Sequence, residues 1–263
     1  MTYYRGTMEY KELCSLFGAG PAVISRVIRR GELALSSALN RIKDARVSWP
    51  DKNTQREWGM LVNKKYPLIE GRFGFIDGKN YPVQAPTNSE KQNAMYNGWL
   101  HCVLITGTLC FGVDGTIIWG RHNFVGSWND GDTSRPCQMK LINDDLTLQD
   151  HGIISDSAFP VSGALLGKII TPLKDGDLLR ANPLVREMLN ERSAAITSCR
   201  QACEWGMGAV EKVFRRLLMK LPYDQVVRKT RLRNIHKLYN YRVRRTGISQ
   251  IRNVFMHHDK HTQ

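Results

Sequence analysis

The sequence predicts an α/β fold built on a mixed β-sheet, and three features of its 263 residues support this prediction. Apolar residues make up 42% of the chain, which is enough for a packed core. Three neighbouring β-rich segments between residues 72 and 125 predict an antiparallel meander. Two short apolar strands and one long helical pattern follow between residues 151 and 221, an order that is typical of α/β proteins.

Two short helices joined by a turn are predicted near the start of the chain, within a helical region and linker over residues 1–67. An amphipathic segment over residues 9–17 ends at Gly18-Ala19-Gly20. Pro21 suits the first turn of the next helix, residues 22–30, because its missing N–H costs nothing there. The pair fits either a helix-turn-helix that binds DNA or an ordinary helical hairpin. In the first case the DNA-contacting residues are Arg26, Arg29 and Arg30.

The remaining elements follow from periodicity and turn residues. Residues 41–70 read as a polar connection, so we place the main domain boundary near residue 68. Strands are expected over 72–83, 98–111, 116–125, 151–156 and 168–172. Helices are expected over about 134–146 and over 194–221, with an irregular stretch at 174–190.

Positive charge is concentrated in the two ends of the chain, whose net charge is +14. Residues 1–70 hold 12 Lys/Arg against 7 Asp/Glu, residues 71–204 hold 12 against 14, and residues 205–263 hold 14 against 3. Basic flanks suit a polyanion such as DNA, because each cation that meets a phosphate releases a counterion; improved solubility is the alternative. We expect residues 223–263 to form a basic tail whose phosphate contacts are Arg228, Lys229, Arg231, Arg233, Arg242, Arg244 and Arg245.

Several common classes of protein are not indicated by the sequence. No apolar run is long enough to span a membrane, and the first residues lack the pattern of a secretory signal. The six cysteines include no C-x-x-C pair, so we expect no disulfide framework. Cys199 and Cys203 are expected to be buried thiols rather than zinc ligands. The segment 257–261, which contains three histidines, is expected to be a disordered terminus rather than a metal site.

Three acids stand where the surrounding pattern favours burial. Asp77 interrupts the first strand, Asp156 ends a later strand, and Glu204 lies on the long helix one turn after Arg200. A buried carboxylate without a partner is costly, so such acids are usually paired, hydrogen-bonded or bound to a metal. Each aspartate alone is more often a cap or turn former. The order Asp, Asp, Glu on strand, strand and helix instead favours a site for Mg²⁺ or Mn²⁺, with room for two ions.

Five short motifs follow one another between residues 74 and 221. They are Ile76-Asp77-Gly78, Gly126-Ser127-Trp128-Asn129-Asp130, Ser155-Asp156-Ser157-Ala158-Phe159-Pro160, Thr171-Pro172 and Arg200-x-x-x-Glu204-x-x-x-Gly208. In this order and spacing the chain resembles the PIF/Harbinger-type DDE transposases and the nucleases derived from them. The resemblance implies an RNase H-like sheet flanked by helices, with the catalytic domain over residues 68–222.

The resemblance also implies roles for individual residues. Asp77, Asp156 and Glu204 would be the catalytic residues and would hold two Mg²⁺ or Mn²⁺ ions. Asp130 and Arg200 would line the site, with Arg200 bracing Glu204 or touching a phosphate. Two further residues complete the interpretation: Lys79, expected to meet the DNA backbone, and Glu211, a weaker alternative to Glu204 as the third ligand.

The implied activity is cleavage of DNA at the ends of a mobile element, followed by joining of those ends to target DNA. The implied partners are double-stranded DNA carrying terminal repeats or target sites, further copies of the chain on that DNA, and a Myb-like accessory protein; the implied location is the nucleus. Two alternatives stay open. One is a domesticated DNA-binding protein that keeps the fold and no longer cuts, and the other is an RNase H-like nuclease without transposition.

Overall fold

A mixed β-sheet forms the centre of the computed structural model, which describes residues 2–174 and 176–256. β1 pairs with β3 on one edge and with β5 on the other, β3 also pairs with β4, and β6 extends the sheet beyond β5. The pairs β1–β3 and β3–β4 are antiparallel, whereas β5 and β6 run parallel to β1. The strands are β1 (Arg72–Pro82), β2 (Tyr96–Asn97), β3 (Cys102–Gly112), β4 (Ile117–Val125), β5 (Gly152–Ile154) and β6 (Ile169–Ile170).

The predicted meander and the two later strands are therefore confirmed, and the mixed sheet flanked by helices fits the expected RNase H-like fold. The helices are α1 (Thr2–Arg5), α2 (Tyr10–Phe17), α3 (Pro21–Arg41), α4 (Lys52–Lys65), α5 (Ser89–Met95), α6 (Asp130–Thr133), α7 (Arg135–Ile142), α8 (Asp177–Arg180), α9 (Arg186–Val213), α10 (Gln225–Thr246) and α11 (Gln250–Met256). Among the described residues, no helix combines the length and apolar character needed to cross a membrane.

Helices cover both faces of β1 and β3. Phe75 and Phe111 are cross-strand partners that share one face, where Gly206 of α9 lies against the Phe111 ring. The neighbouring pair, Gly74 and Gly112, shares the opposite face, where Trp58 of α4 approaches Gly112 closely. The absence of a side chain at Gly206 therefore lets α9 lie close to the sheet. This close approach positions α9 beside the strands that carry the acidic residues.

The C-terminal basic segment differs from the predicted tail. Its described part, residues 223–256, consists mainly of α10 and α11, which pack against α3, α9 and β4. Arg228 and Arg231 are almost fully buried, so the prediction that they contact phosphate is wrong. Tyr239 is also buried, with its ring edge-on to Phe111. The histidine-containing stretch 257–261 lies outside the described residues.

The sequence also misplaced some helix boundaries. The long helix predicted over 194–221 is α9, which begins and ends eight residues earlier. The polar connection predicted over 41–70 contains α4, whose Val62 is buried. The second N-terminal helix continues to Arg41. Its first half leaves Val23 and Val27 exposed, and its role as part of a DNA-binding helix-turn-helix stays a prediction.

A buried ion pair connects α3 to α10. Arg231 donates to both carboxylate oxygens of Glu32 at 2.7 and 3.3 Å, and both side chains are almost fully shielded from solvent. Tyr4 donates a further hydrogen bond to this carboxylate, and Asn234 donates to the Glu32 backbone carbonyl. The carboxylate and the guanidinium are therefore well satisfied, as a buried pair must be if it is not to destabilise the fold.

The Arg231→Met variant is expected to lower the free energy of unfolding by about 3–5 kcal/mol, because it leaves Glu32 charged and buried without its partner. The matched control is Arg245→Met on the same helix. Arg245 is largely exposed, lies 3.8 Å from Asp44, and should change stability by less than about 1 kcal/mol. Urea denaturation measures both values, and equal midpoints for the two variants would contradict the structural role of the pair.

Candidate active site

Asp77 lies in β1 on the face that α9 covers. Its strand partner is Leu109, whose carbonyl accepts a contact from the Cys203 thiol of α9 at 3.9 Å. The Asp77 carboxylate accepts a hydrogen bond from the Gly78 backbone N–H at 2.7 Å. Apolar residues on both sides of the strand, Phe75 and Ile76 among them, are buried. A rigid, buried strand therefore fixes the position of this acid.

Asp130, in the first turn of α6, approaches β1 at Gly78, the residue after Asp77. Its carboxylate occupies the space into which a Cβ on residue 78 would project. Any side chain at this position would therefore collide with Asp130, which gives a physical reason for glycine within a strand. Helix α6 is anchored on the sheet by Thr133, whose hydroxyl lies 2.6 Å from that of Thr108 in β3. Asp77 and Asp130 are thereby held within electrostatic reach of each other by elements that are distant in sequence.

Asp156 completes a group of three acids, which we call the aspartate cluster: Asp77, Asp130 and Asp156. It follows β5, whose parallel pairing with β1 brings its end near Asp77. The Asp156 carboxylate accepts a hydrogen bond from the Ala158 N–H at 3.0 Å. The preceding Ser155 is fully buried. The middle of β1, the residues after β5 and the start of α6 therefore bring three acids within electrostatic reach of one another.

The electrostatics show that the three carboxylates interact. Burial and the charge of Asp156 are the largest causes that raise the pKa of Asp77 from 3.8 to about 6, and Asp130 contributes in the same direction. Burial, then the charge of Asp156, raises the pKa of Asp130 to about 6 as well. The Gly78 N–H and the Arg200 guanidinium act against this rise at Asp77. The cluster therefore concentrates negative charge that its own surroundings only partly offset.

Glu204 and Arg200 lie one turn apart on α9. Arg200 donates to the Glu204 carboxylate at 3.2 Å, and Glu204 remains more than half exposed. Arg200 also lowers the pKa of Asp77, so its guanidinium is within electrostatic reach of both acids. Cys203 also lies near both Asp77 and Glu204, because burial and then the charges of these two acids raise the pKa of its thiol. Glu204 thus lies at the solvent-exposed edge of the site.

Glu211, the alternative third acid, is already paired. Its carboxylate lies 2.6 Å from the Lys79 ammonium, and both side chains are partly buried. Lys79, expected to meet the DNA backbone, therefore holds a carboxylate of α9 in this structure. Cys199 and Cys203 are buried free thiols, as expected.

The aspartate cluster has the donors that a hard divalent cation requires. Within the described part of the chain, none of its three carboxylates forms an ion pair, and burial followed by the charge of Asp156 raises the pKa of Asp77 and of Asp130. No group of three His, Cys, Asp or Glu side chains in residues 2–174 and 176–256 is close enough to enclose an ion. Mg²⁺ needs no such cage, since it keeps several waters and is commonly held by one or two carboxylates together with substrate phosphate. Asp77 and Asp156 therefore suit such an ion, although the described structure brings no third carboxylate close enough to enclose it.

The other residues expected to contact DNA divide into two groups. Arg26, Arg29 and Arg30 of α3 are exposed, as are Lys229, Arg233 and Arg245 of α10. Arg244 instead donates to the backbone carbonyls of Asp44 and Arg46, and Arg242 is partly buried. The exposed six stay predicted DNA contacts.

Sequence reasoning did not identify Gly78 as part of the site. The sequence did contain an indication, since a glycine inside an apolar strand often marks the close approach of another group. The identity of that group was not readable, since α6 is 52 residues further along the chain at Asp130. The closeness of Cys203 to Asp77 likewise depends on how α9 packs on the sheet, which the sequence does not indicate.

Comparison with known proteins gives one match. The model of a family described as DDE superfamily endonuclease matches residues 76–242, more than half of the chain. The matched region begins in β1, includes Asp77, Asp130, Asp156, Glu204 and Glu211, and extends into α10. No curated protein and no solved structure matches.

The Asp77→Asn variant is expected to be more stable than the wild type at pH 7 in the absence of divalent metal. The displacement of the Asp77 pKa from 3.8 to about 6 means that the folded state binds the proton more tightly, so ionisation destabilises the fold. The effect amounts to at most about 3 kcal/mol, which partial exposure reduces to about 1–2 kcal/mol.

The difference in stability between Asp77→Asn and the wild type should depend on pH. The gain in free energy of unfolding of Asp77→Asn over the wild type should be complete above about pH 6. It should vanish as the pH falls below about 4, where Asp77 is protonated in both the folded and the unfolded wild type. Thermal unfolding in EDTA between these limits measures it, with the exposed Asp145→Asn as the control. A constant difference across this range would show that Asp77 is not destabilised by its surroundings.

Proposed function

The chain belongs to the DDE superfamily endonucleases, and from this premise we propose that it is a metal-dependent endonuclease that cuts DNA at the ends of a mobile element. In the proposed reaction, water attacks the phosphorus of a phosphodiester and the P–O3′ bond breaks, which gives a 5′-phosphate and a free 3′-hydroxyl. This 3′-hydroxyl then attacks a phosphodiester of the target, whose own 3′-oxygen leaves as a hydroxyl. The observation that carries the proposal is the aspartate cluster, in which burial and like charge raise the pKa of Asp77 and Asp130.

Asp77, Asp156 and Glu204 are the proposed metal ligands. Two Mg²⁺ or Mn²⁺ ions, when bound, would supply Lewis-acid stabilisation of the attacking and leaving oxygens. Asp77 is held by the Gly78 N–H and Asp156 by the Ala158 N–H, so both carboxylates keep a fixed orientation. Their combined charge disfavours the approach of a phosphate until it is neutralised, which makes activity dependent on a cation.

Arg200 is proposed as a positioning residue. It holds the Glu204 carboxylate at 3.2 Å and acts electrostatically on Asp77, which supports a location of Glu204 on the site side of α9. Asp130 is proposed to line the site and to add to its negative charge. The exposed arginines of α3 and α10 are proposed to hold the DNA backbone through phosphate contacts.

A DNA-binding protein without cleavage activity is the second candidate. The exposure of Glu204 and its pairing with Arg200 favour it, because a third ligand is then not held beside the other two. The PIF/Harbinger subtype, strand transfer, assembly on DNA, the Myb-like partner and nuclear location stay predictions.

Cleavage of a duplex carrying candidate terminal repeats in Mg²⁺ or Mn²⁺ tests the proposal. Asp77→Asn and Asp156→Asn are each expected to reduce the rate by at least about 100-fold, because each removes a proposed ligand. The exposed Asp145→Asn serves as the matched control and should cut at the wild-type rate. Absence of metal-dependent cleavage by the wild type would favour the binding-only candidate.

The same assay separates Glu204 from Asp130 as the third functional acid. Glu204→Gln should lose activity to a similar extent as Asp156→Asn, whereas Glu191→Gln, an exposed residue on the same helix, should not. Full activity of Glu204→Gln together with loss in Asp130→Asn would transfer the role to Asp130.

A further inference from the structure

A groove of about 830 Å³ lies between the end of β4 and helices α6 and α7, on the α6 side of the sheet. Its lining combines two arginines with two aromatic rings: Arg121, Arg135, Phe124 and Trp128. Trp128 lies two residues before Asp130 in the chain, so the groove and the cluster share one short segment. The function proposed above makes no use of these four side chains.

A β-bulge builds this lining. In β4, Arg121 pairs with Thr108 and Phe124 with Thr106, while His122 pairs with Gly107, so Asn123 is an extra residue with a φ of 79°. Residues three apart in a regular strand point to opposite faces. The inserted residue instead places Arg121 and Phe124 on the same face, which is the face that α6 covers through Thr108 and Thr133.

Two contacts from α10 hold the bulge in place. The Asn123 side chain accepts a hydrogen bond from Arg228 at 2.8 Å and donates one to the Gln225 carbonyl at 3.0 Å. Arg228 also donates to the backbone carbonyls of Pro222 and Tyr223. This buried arginine therefore fixes the strand conformation that forms the groove instead of contacting phosphate itself.

The two aromatic rings of the groove are stacked on each other. Phe124 and Trp128 lie parallel, with 5.0 Å between ring centroids and an interplanar angle of 18°. The Arg121 guanidinium lies 5.3 Å from the Phe124 ring centroid. Trp128 remains 47% exposed, so it retains surface for a further planar group. Arg121 and Arg135 outnumber the single acid of the lining, Asp132, and their charge suits an anionic ligand.

We propose that this groove binds an unpaired nucleotide of the DNA next to the cleaved phosphodiester, with its base stacked on Trp128 and its phosphate at Arg121 and Arg135. Stacking on an aromatic ring together with arginine contacts to phosphate is how proteins hold single strands without sequence preference. The inference rests on the proposed function for its location beside a cleavage site. Binding without cleavage tests it independently.

The test is fluorescence anisotropy in EDTA with a labelled oligothymidylate of about ten nucleotides, a length that one single-strand site commonly covers. Trp128→Ala is expected to weaken binding by at least about tenfold, and Trp128→Phe to restore most of it, because a ring remains available for stacking. The control is Trp99→Ala, since Trp99 is 90% exposed and lies outside the groove lining. It should bind as the wild type does.

A second measurement keeps the inference testable if Trp128→Ala proves less stable than the control. The double variant Arg121→Gln/Arg135→Gln should reduce the slope of log affinity against log salt by about 0.7, since the two arginines are proposed to hold one phosphate and each lost phosphate contact removes about 0.7 on a single strand. An unchanged slope would overturn the phosphate assignment. Equal affinities for Trp128→Ala and Trp99→Ala at equal stability, or no oligothymidylate binding by the wild type, would overturn the groove as a nucleotide site.

The outcome is distinguishable from failure of the proposed function. A wild-type protein that does not cleave but binds oligothymidylate through Trp128 would refute the nuclease and keep the groove. Metal-dependent cleavage by a protein whose Trp128→Ala variant binds normally would refute the groove alone.

Discussion

Repulsion among carboxylates that the fold holds together is the constraint on which the rest of the structure depends. Asp77 comes from the middle of β1, Asp130 from the start of α6 and Asp156 from the residues after β5, and burial followed by neighbouring negative charge raises the pKa of Asp77 and Asp130 to about 6. Such crowding persists only because the elements that carry these acids are fixed by other contacts. Phe75 and Ile76 anchor β1 in the core, the Thr108–Thr133 contact anchors α6, and the pairing with β1 anchors β5.

The positive charge of the chain serves two different purposes. Arg231 and Arg228 are buried, where one ties α3 to α10 through Glu32 and the other holds the bulge at Asn123. The net charge of +14 therefore overstates the charge available to a polyanion. The exposed arginines of α3 and α10 remain on the surface, so the proposed binding surface belongs to packed helices and not to a separate tail.

The sequence was sufficient to predict the sheet, because β1 and β3 are long apolar segments whose composition indicates β-strands. It was not sufficient to predict the packing of α10. The polar side chains of Arg228, Arg231 and Asn234 indicate a solvent-exposed helix face unless their partners elsewhere in the chain are known. Within the site, the strand positions of Asp77 and Asp156 were readable. The approach of Asp130 to Gly78 was not, because it depends on how α6 docks on the sheet, and the exposure of Glu204 depends on the rotation of α9.

Binding of Mn²⁺ measured by electron paramagnetic resonance tests the central claim most directly, since it separates the cation site from DNA binding and from turnover. The account predicts that the wild type removes Mn²⁺ from the free pool and that Asp77→Asn/Asp156→Asn does not, while the exposed control Asp145→Asn binds as the wild type does. Equal Mn²⁺ binding by the double variant and the wild type would contradict the claim that these carboxylates are gathered to hold a metal ion.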